Sequence, residues 1–139
     1  MPKDELIAAL EKADGPDREL DALIWLLVNY PDWRKHKDWR KTNGWAEESR
    51  PSSMVSYYTA DGLGGSGSAN HYTASIDAAL TLVPEGWSWS VDHLLGQKPG
   101  AVLNNKPFSK TAIATEGATP ALAICIAALR ATERGEAGR

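Results

Sequence analysis

The chain has one cysteine, Cys125, in 139 residues. A single thiol excludes an intrachain disulfide and any cysteine-based zinc cluster. No stretch reaches the roughly 18 consecutive apolar residues that a membrane-spanning helix needs. The opening MPKDELIAAL carries acids where a secretory signal would carry bases followed by a long apolar run. These absences point to a cytoplasmic chain without a membrane partner. Net charge is also small, at −3, which argues against a whole-surface nucleic-acid binder and leaves room for a local basic patch.

Catalytic grammar is sparse as well. His71, Asp77, Asp92 and His93 form the one mixed His/Asp set. Asp92 and His93 are neighbours on an expected strand and so point to opposite faces, while His71 and Asp77 straddle a helix start. Neither spacing sets two metal ligands on one face, as an i, i+4 histidine pair would. No serine sits in a nucleophile-elbow context, and Cys125 lies within an apolar helix, where a thiol is usually inert packing. The expectation is a non-enzyme with no catalytic residue, no metal and no cofactor.

What is present reads as one globular domain over residues 1–139: 42% apolar and 24% charged residues, enough for a single core. The sharpest local pattern is TASIDAALTLVPEGWSW, residues 73–89. Thr73 suits an N-cap, and Ile76, Ala79, Leu80 and Val83 follow on one helical face. Pro84 and Gly86 stop that helix. The period then changes to two, with Trp87, Trp89 and Val91 alternating with Ser88, Ser90 and Asp92.

Upstream, residues 3–13 read as an amphipathic helix with Leu6, Ile7 and Leu10 apolar. Pro16 suits the first position of a second helix, with Asp17, Glu19 and Asp21 filling its positive N-terminal turn. Leu20, Leu23, Ile24, Leu27 and Val28 recur at helical spacing until Asn29-Tyr30-Pro31. Downstream, strands are expected over Trp87–Asp92, Ala101–Asn104 and Ser109–Thr115. A nearly all-apolar final helix then opens with Thr119 as cap and Pro120 in its first turn. The tail from residue 132 reads as frayed. The fold class is therefore α+β: a three-stranded antiparallel sheet packed by helices, in the order α-α-α-β-β-β-α. The sheet's Trp87/Trp89/Val91 face is expected to pack on the central and final helices.

Residues 32–72 read as an irregular insertion that holds the candidate binding residues. Asp32-Trp33-Arg34-Lys35 is echoed by Asp38-Trp39-Arg40-Lys41, and residues 32–41 hold five bases and two acids in an otherwise acidic chain. Bases interleaved with tryptophan suit phosphates and stacked rings. The plainer alternative is a solvated linker, or tryptophans lying on the core. Trp45 extends the aromatic patch. MVSYYTA, residues 54–60, has strand propensity and supplies Tyr57 and Tyr58. GLGGSGSAN follows, with Gly64, Gly65 and Ser66 at its centre. Gly62, Gly64 and Gly67 match G-x-G-x-x-G only formally, because neither the helix nor the acid such a fold requires is in place. The reading is a flexible Gly/Ser loop whose bare amides can still cradle an anion.

Two pieces carry a family resemblance: HYTASIDAALTLVPEGWSW and EGATPALAICIAALRA, with RELDALIWLLV upstream. Over residues 4–30 and 71–131 the chain resembles small phage and prophage proteins of the phage alpha-beta-alpha sandwich domain type. The shared motifs are caps, stops and core faces. The basic Trp segment and the glycine stretch fall outside them, and no catalytic residue carries over. The resemblance implies a phage accessory protein that acts in the host cytoplasm, of the kind often used against host defence. Its partner would be a host defence protein, covered by the Trp/Arg patch, or a nucleotide signal, sequestered by stacking and phosphate donors, with a homo-oligomer allowed. Interface hot spots favour tryptophan and arginine, as the first reading requires.

A nucleic-acid-binding alternative rests on topology. Helix, three strands and helix is also the order of double-stranded-RNA-binding domains, which meet phosphates with lysines at the start of the final helix. Here that position reads TPALAIC, without a base.

Overall fold

The computed structural model describes residues 3–29, 40–42, 54–58, 64–105 and 112–137. In chain order the elements are α1 (Lys3–Lys12), α2 (Arg18–Asn29), β1 (Arg40–Thr42), β2 (Met54–Tyr58), β3 (Gly64–Ser68), α3 (Ile76–Leu80), β4 (Ser88–Asp92), β5 (Gly100–Asn104), β6 (Ile113–Glu116) and α4 (Pro120–Ala137). The α+β class and the expected order of helices and strands hold. The region read as an irregular insertion contains a second three-stranded antiparallel sheet.

Local chemistry fixes the helix starts. Glu19 and Leu20 donate their backbone N–H groups to the Asp17 carboxylate at 2.9 and 3.2 Å. Asp17 is thus the N-cap of α2, and Pro16 stands before the cap rather than in the first turn, because an aspartate oxygen satisfies N–H groups that a helix start leaves open. Thr119 caps α4 as expected, accepting from Leu122 N–H at 3.2 Å. The cap of α3 is Ser75, not Thr73, since the Ala78 N–H donates to Ser75 Oγ at 3.2 Å. Beyond α3, Thr81, Leu82 and Val83 each bond back three residues, to Ala78, Ala79 and Leu80. The path therefore continues as tighter turns to Pro84, and Gly86 reverses it at φ +87°.

The core lies between α4 and the sheet β4–β5–β6. Every residue from Ala121 to Leu129 is buried. Leu6, Ile7 and Leu10 of α1, and Leu20, Leu23, Ile24 and Leu27 of α2, join the same cluster. Thr115 donates its hydroxyl to the Ala123 carbonyl at 2.7 Å, tying β6 to α4. Gly117 lets the chain turn there: a Cβ on it would stand 2.8 Å from the Ala123 nitrogen. The helix runs to Ala137, so residues 132–137, read as frayed, are helical.

The strand register has the expected phase. Trp89 is opposite Leu103, which is opposite Ile113, and Val91 is opposite Ala101, which is opposite Thr115. Directly opposed residues share a face. Leu103, Ala101, Ile113 and Thr115 are buried, yet Trp89 is 50% exposed. This corrects the expectation that Trp89 is packed. The phase is right, but β4 is an edge strand and α4 lies mainly on β5 and β6, so the outer strand of the covered face projects past the helix. Trp87 and Val91 are partly buried against the core.

Candidate functional site

β2 has the residue types that strands favour, with Val55, Tyr57 and Tyr58. β1 and β3 do not: they read RKT and GGSGS. Glycine weakens a strand interior and often marks a place where another backbone or a ligand comes close. The two weak strands flank the good one, in the order β1-β2-β3.

The register draws scattered sequence candidates together. Arg40 is opposite Tyr58, which is opposite Gly64. Lys41 is opposite Tyr57, which is opposite Gly65. Thr42 is opposite Ser56, which is opposite Ser66. Opposed residues in neighbouring strands lie about 4.5–5.5 Å apart. Each of the first two rows therefore sets a base, a tyrosine and a glycine side by side. Gly64, Gly65 and Ser66 belong to a paired strand, not to the free loop the composition suggested, because β2 supplies backbone partners along their whole length. Trp33, Arg34, Lys35, Trp39 and Trp45 lie outside the described residues.

The exit of this sheet is fixed by a network that the sequence reading missed. Arg18, at the start of α2, donates to the backbone carbonyls of Ala69 (3.1 Å) and Asn70 (3.2 Å), just beyond β3. The same guanidinium pairs with the Asp21 carboxylate at 2.7 Å. Asp21 also accepts from the Thr73 N–H and the Thr73 hydroxyl, each at 2.8 Å, and the Asp17 N–H donates to Thr73 Oγ1 at 2.8 Å. Asp21 and Thr73 are both fully buried. Thr73 is thus the hub that joins α2 to the chain leaving β3, which is why it does not cap α3. Asp21, read as an acid serving the helix dipole, is the acceptor at the centre. The available signal was the i, i+3 spacing of Arg18 and Asp21 on the apolar side of α2.

No family model, curated protein sequence or solved structure matches this chain. The function must therefore be argued from its own residues.

Among the described residues, no three His, Cys, Asp or Glu side chains gather where they would hold a metal ion. His71, Asp77, Asp92 and His93 are all exposed. Cys125 is buried and donates its S–H to the Tyr72 carbonyl at 3.3 Å. Burial, reinforced by the nearby Asp21 charge, pushes its thiol up to about 12. A thiol so protonated is packing, not a nucleophile. Burial likewise raises the Tyr72 phenol above its ordinary value, against a side-chain hydrogen bond with Asn70 that lowers it.

An open groove of about 560 Å³ runs past Glu11, Asp92, Lys98, Glu116 and Arg130. Its charges are mixed, and Arg130 is already paired with Glu11 at 3.2 Å. Among the described residues, none of the candidate binding residues lines it.

Proposed function

We propose that this chain acts by binding rather than by catalysis, with the sheet β1–β2–β3 as its contact surface and a nucleotide-type ligand as the best-fitting occupant. The observation that carries the reading is the register: Arg40–Tyr58–Gly64 on one face of the sheet repeats the base–tyrosine–glycine row that Lys41–Tyr57–Gly65 sets on the other. A nucleotide needs a cation for its phosphate and an aromatic face for its base, and stacking on an aromatic residue is worth about 1–3 kcal/mol per base. Glycine beside both lets a ligand approach the backbone. In sequence, the residues just before β1 hold further bases and tryptophans, at Trp33, Arg34, Lys35, Lys37 and Trp39.

The biological role proposed with it is that of a small phage accessory protein used against host defence, either by sequestering a nucleotide immune signal or by covering a host defence protein. The likeness of its helix and strand motifs to small phage proteins supports this context, and the tryptophan–arginine content of residues 33–45 supports the protein-covering form. Purified protein from infected-host lysate is heated and the supernatant analysed for nucleotides. In parallel, cyclic di- and trinucleotides are titrated by calorimetry. Released or titrated nucleotide at a defined stoichiometry is the expected result. A host protein retained in the absence of any nucleotide would favour the covering form.

The nucleic-acid reading draws on one specific observation, the α3-β4-β5-β6-α4 order with α3 and α4 in contact. The groove-facing chemistry runs against it, because Ala121, Leu122 and Ala123 in the first turn of α4 are buried. Salt-sensitive binding to duplex RNA with no nucleotide bound would revive it.

A further inference from the structure

Among the described residues the outer edge of β4 has no neighbouring strand, and it offers a second surface apart from β1–β2–β3. β4 is the outer strand of its sheet and, among the described residues, its ladder is made with β5 alone. Proteins usually blunt such an edge with lysine, proline, a bulge or an inward-pointing charge. Ser88-Trp89-Ser90-Val91-Asp92 has none of these. Its pairing to β5 is continuous over all five residues, and its one charge, Asp92, is at the end. Large exposed apolar side chains gather at this edge and at the turn beyond it: Trp89 is 50% exposed, Leu94 58%, and Leu95 wholly so.

We propose that β4 pairs antiparallel with β4 of a second copy of this chain, about a two-fold axis at Ser90, so that two three-stranded sheets become one of six strands. The strand's own sequence selects the second copy as occupant. Centring the axis on Ser90 is the one register that pairs all five residues of both strands. It sets each Trp89 across from the partner's Val91 and each Ser88 across from the partner's Asp92. Aromatic and β-branched residues make favourable cross-strand pairs, and no like charges are opposed. A two-fold contact needs one self-complementary patch, which this strand provides. The geometry also accounts for Trp89. In a continuous antiparallel sheet both α4 helices lie on the same face, and the two Trp89 residues fall in the gap between them, where the single chain leaves each half uncovered.

The test is the solution mass of the full chain by sedimentation velocity. The expected result is about twice the 15.0 kDa of one chain. Ser90→Lys sets two ammonium groups against each other across the axis, on the exposed face, and should return the mass to that of one chain with an unchanged far-UV spectrum. Ala114→Lys places the same charge on the exposed face of β6 and should leave the dimer intact. Hydrogen exchange of the wild type gives a readout free of any folding defect: β4 amides should gain protection as protein concentration rises. A wild type that stays monomeric at its highest soluble concentration would overturn the proposal. So would a Ser90→Lys dimer, or β4 protection that ignores concentration and responds only to an added foreign peptide.

Discussion

In β4–β5–β6 the covered rows hold Ala101, Leu103, Ile113 and Thr115, all buried, with a helix lying across them. In β1–β2–β3 the strands read RKT, MVSYY and GGSGS, and their exit is fastened by hydrogen bonds from Arg18 to Ala69 and Asn70. Alternating apolar residues give the first sheet both its register and its place on the core, since a slip of one residue would turn its buried set to water. The second sheet has little such pattern to hold it. Among the described residues, its strands are joined by backbone pairing, and the Arg18–Asp21–Thr73 network fastens the chain that leaves it. A sheet without an alternating apolar pattern has positions for bases, tyrosines and glycines, residues that a core sheet cannot use. The division of labour teaches where to look for function: in the sheet whose composition packing does not explain.

The contact between the two regions is the place to break this comparison. Asp21→Ala removes the acceptor shared by Arg18 and Thr73 and should cost about 1–3 kcal/mol, the range for leaving buried donors, here the Thr73 N–H and hydroxyl, unsatisfied. Urea denaturation measures it, and a loss below about 1 kcal/mol would mean that the network is decoration. Within the packed region, Leu122→Ala should cost about 2–5 kcal/mol, because Leu122 is fully buried on the core face of α4. Gly117→Ala should cost about 1–3 kcal/mol, since the added methyl meets the α4 backbone, which has no room to yield. A melting temperature unmoved by either would place α4 at the periphery.

Alkaline pH sharpens the same contrast. The Cys125 thiol is raised from an ordinary 9.0 to about 12 in the folded chain. Above pH 9 the unfolded chain has lost a proton that the folded chain keeps, so the folded state binds more protons and stability falls as pH rises. The fall approaches about 1.4 kcal/mol per pH unit between the two values, and the raised Tyr72 phenol adds in the same sense. In Cys125→Ala the thiol's share of that slope should vanish. Equal slopes in both proteins would show that the thiol is not held protonated by burial.

How much of this was legible in the sequence follows the same divide. α1, α2, β4, β5 and α4 were readable because each carries periodic apolar residues with a stop or a cap beside them. The edge position of β4 is not readable, since no local pattern says where a helix lies across a sheet, and alternation alone places Trp89 among the packed residues. Thr73 and Asp21 were misassigned for a related reason: an N-cap and a helix-dipole acid are local roles, and a hydrogen bond between residues 52 positions apart leaves no periodic trace. For the candidate site, Arg40, Lys41, Tyr57, Tyr58, Gly64, Gly65 and Ser66 were each picked out by residue type. That they share register rows came only from the pairing. Glycine's low strand propensity concealed β3, where partner backbone, not side chains, makes the strand.

The most direct measurement is a paired one on Arg40→Ala/Tyr58→Ala, which empties one register row of its base and its ring. Thermal melting and calorimetric titration with cyclic di- and trinucleotides are run on the same sample as the wild type. Binding should be lost while the melting temperature stays within about 3 °C of wild type, as expected for changes away from the core. A variant that unfolds would make the second sheet part of the core, and one that stays folded and binds as the wild type does would remove the Arg40–Tyr58–Gly64 row, and the face of the sheet it lies on, as the contact surface.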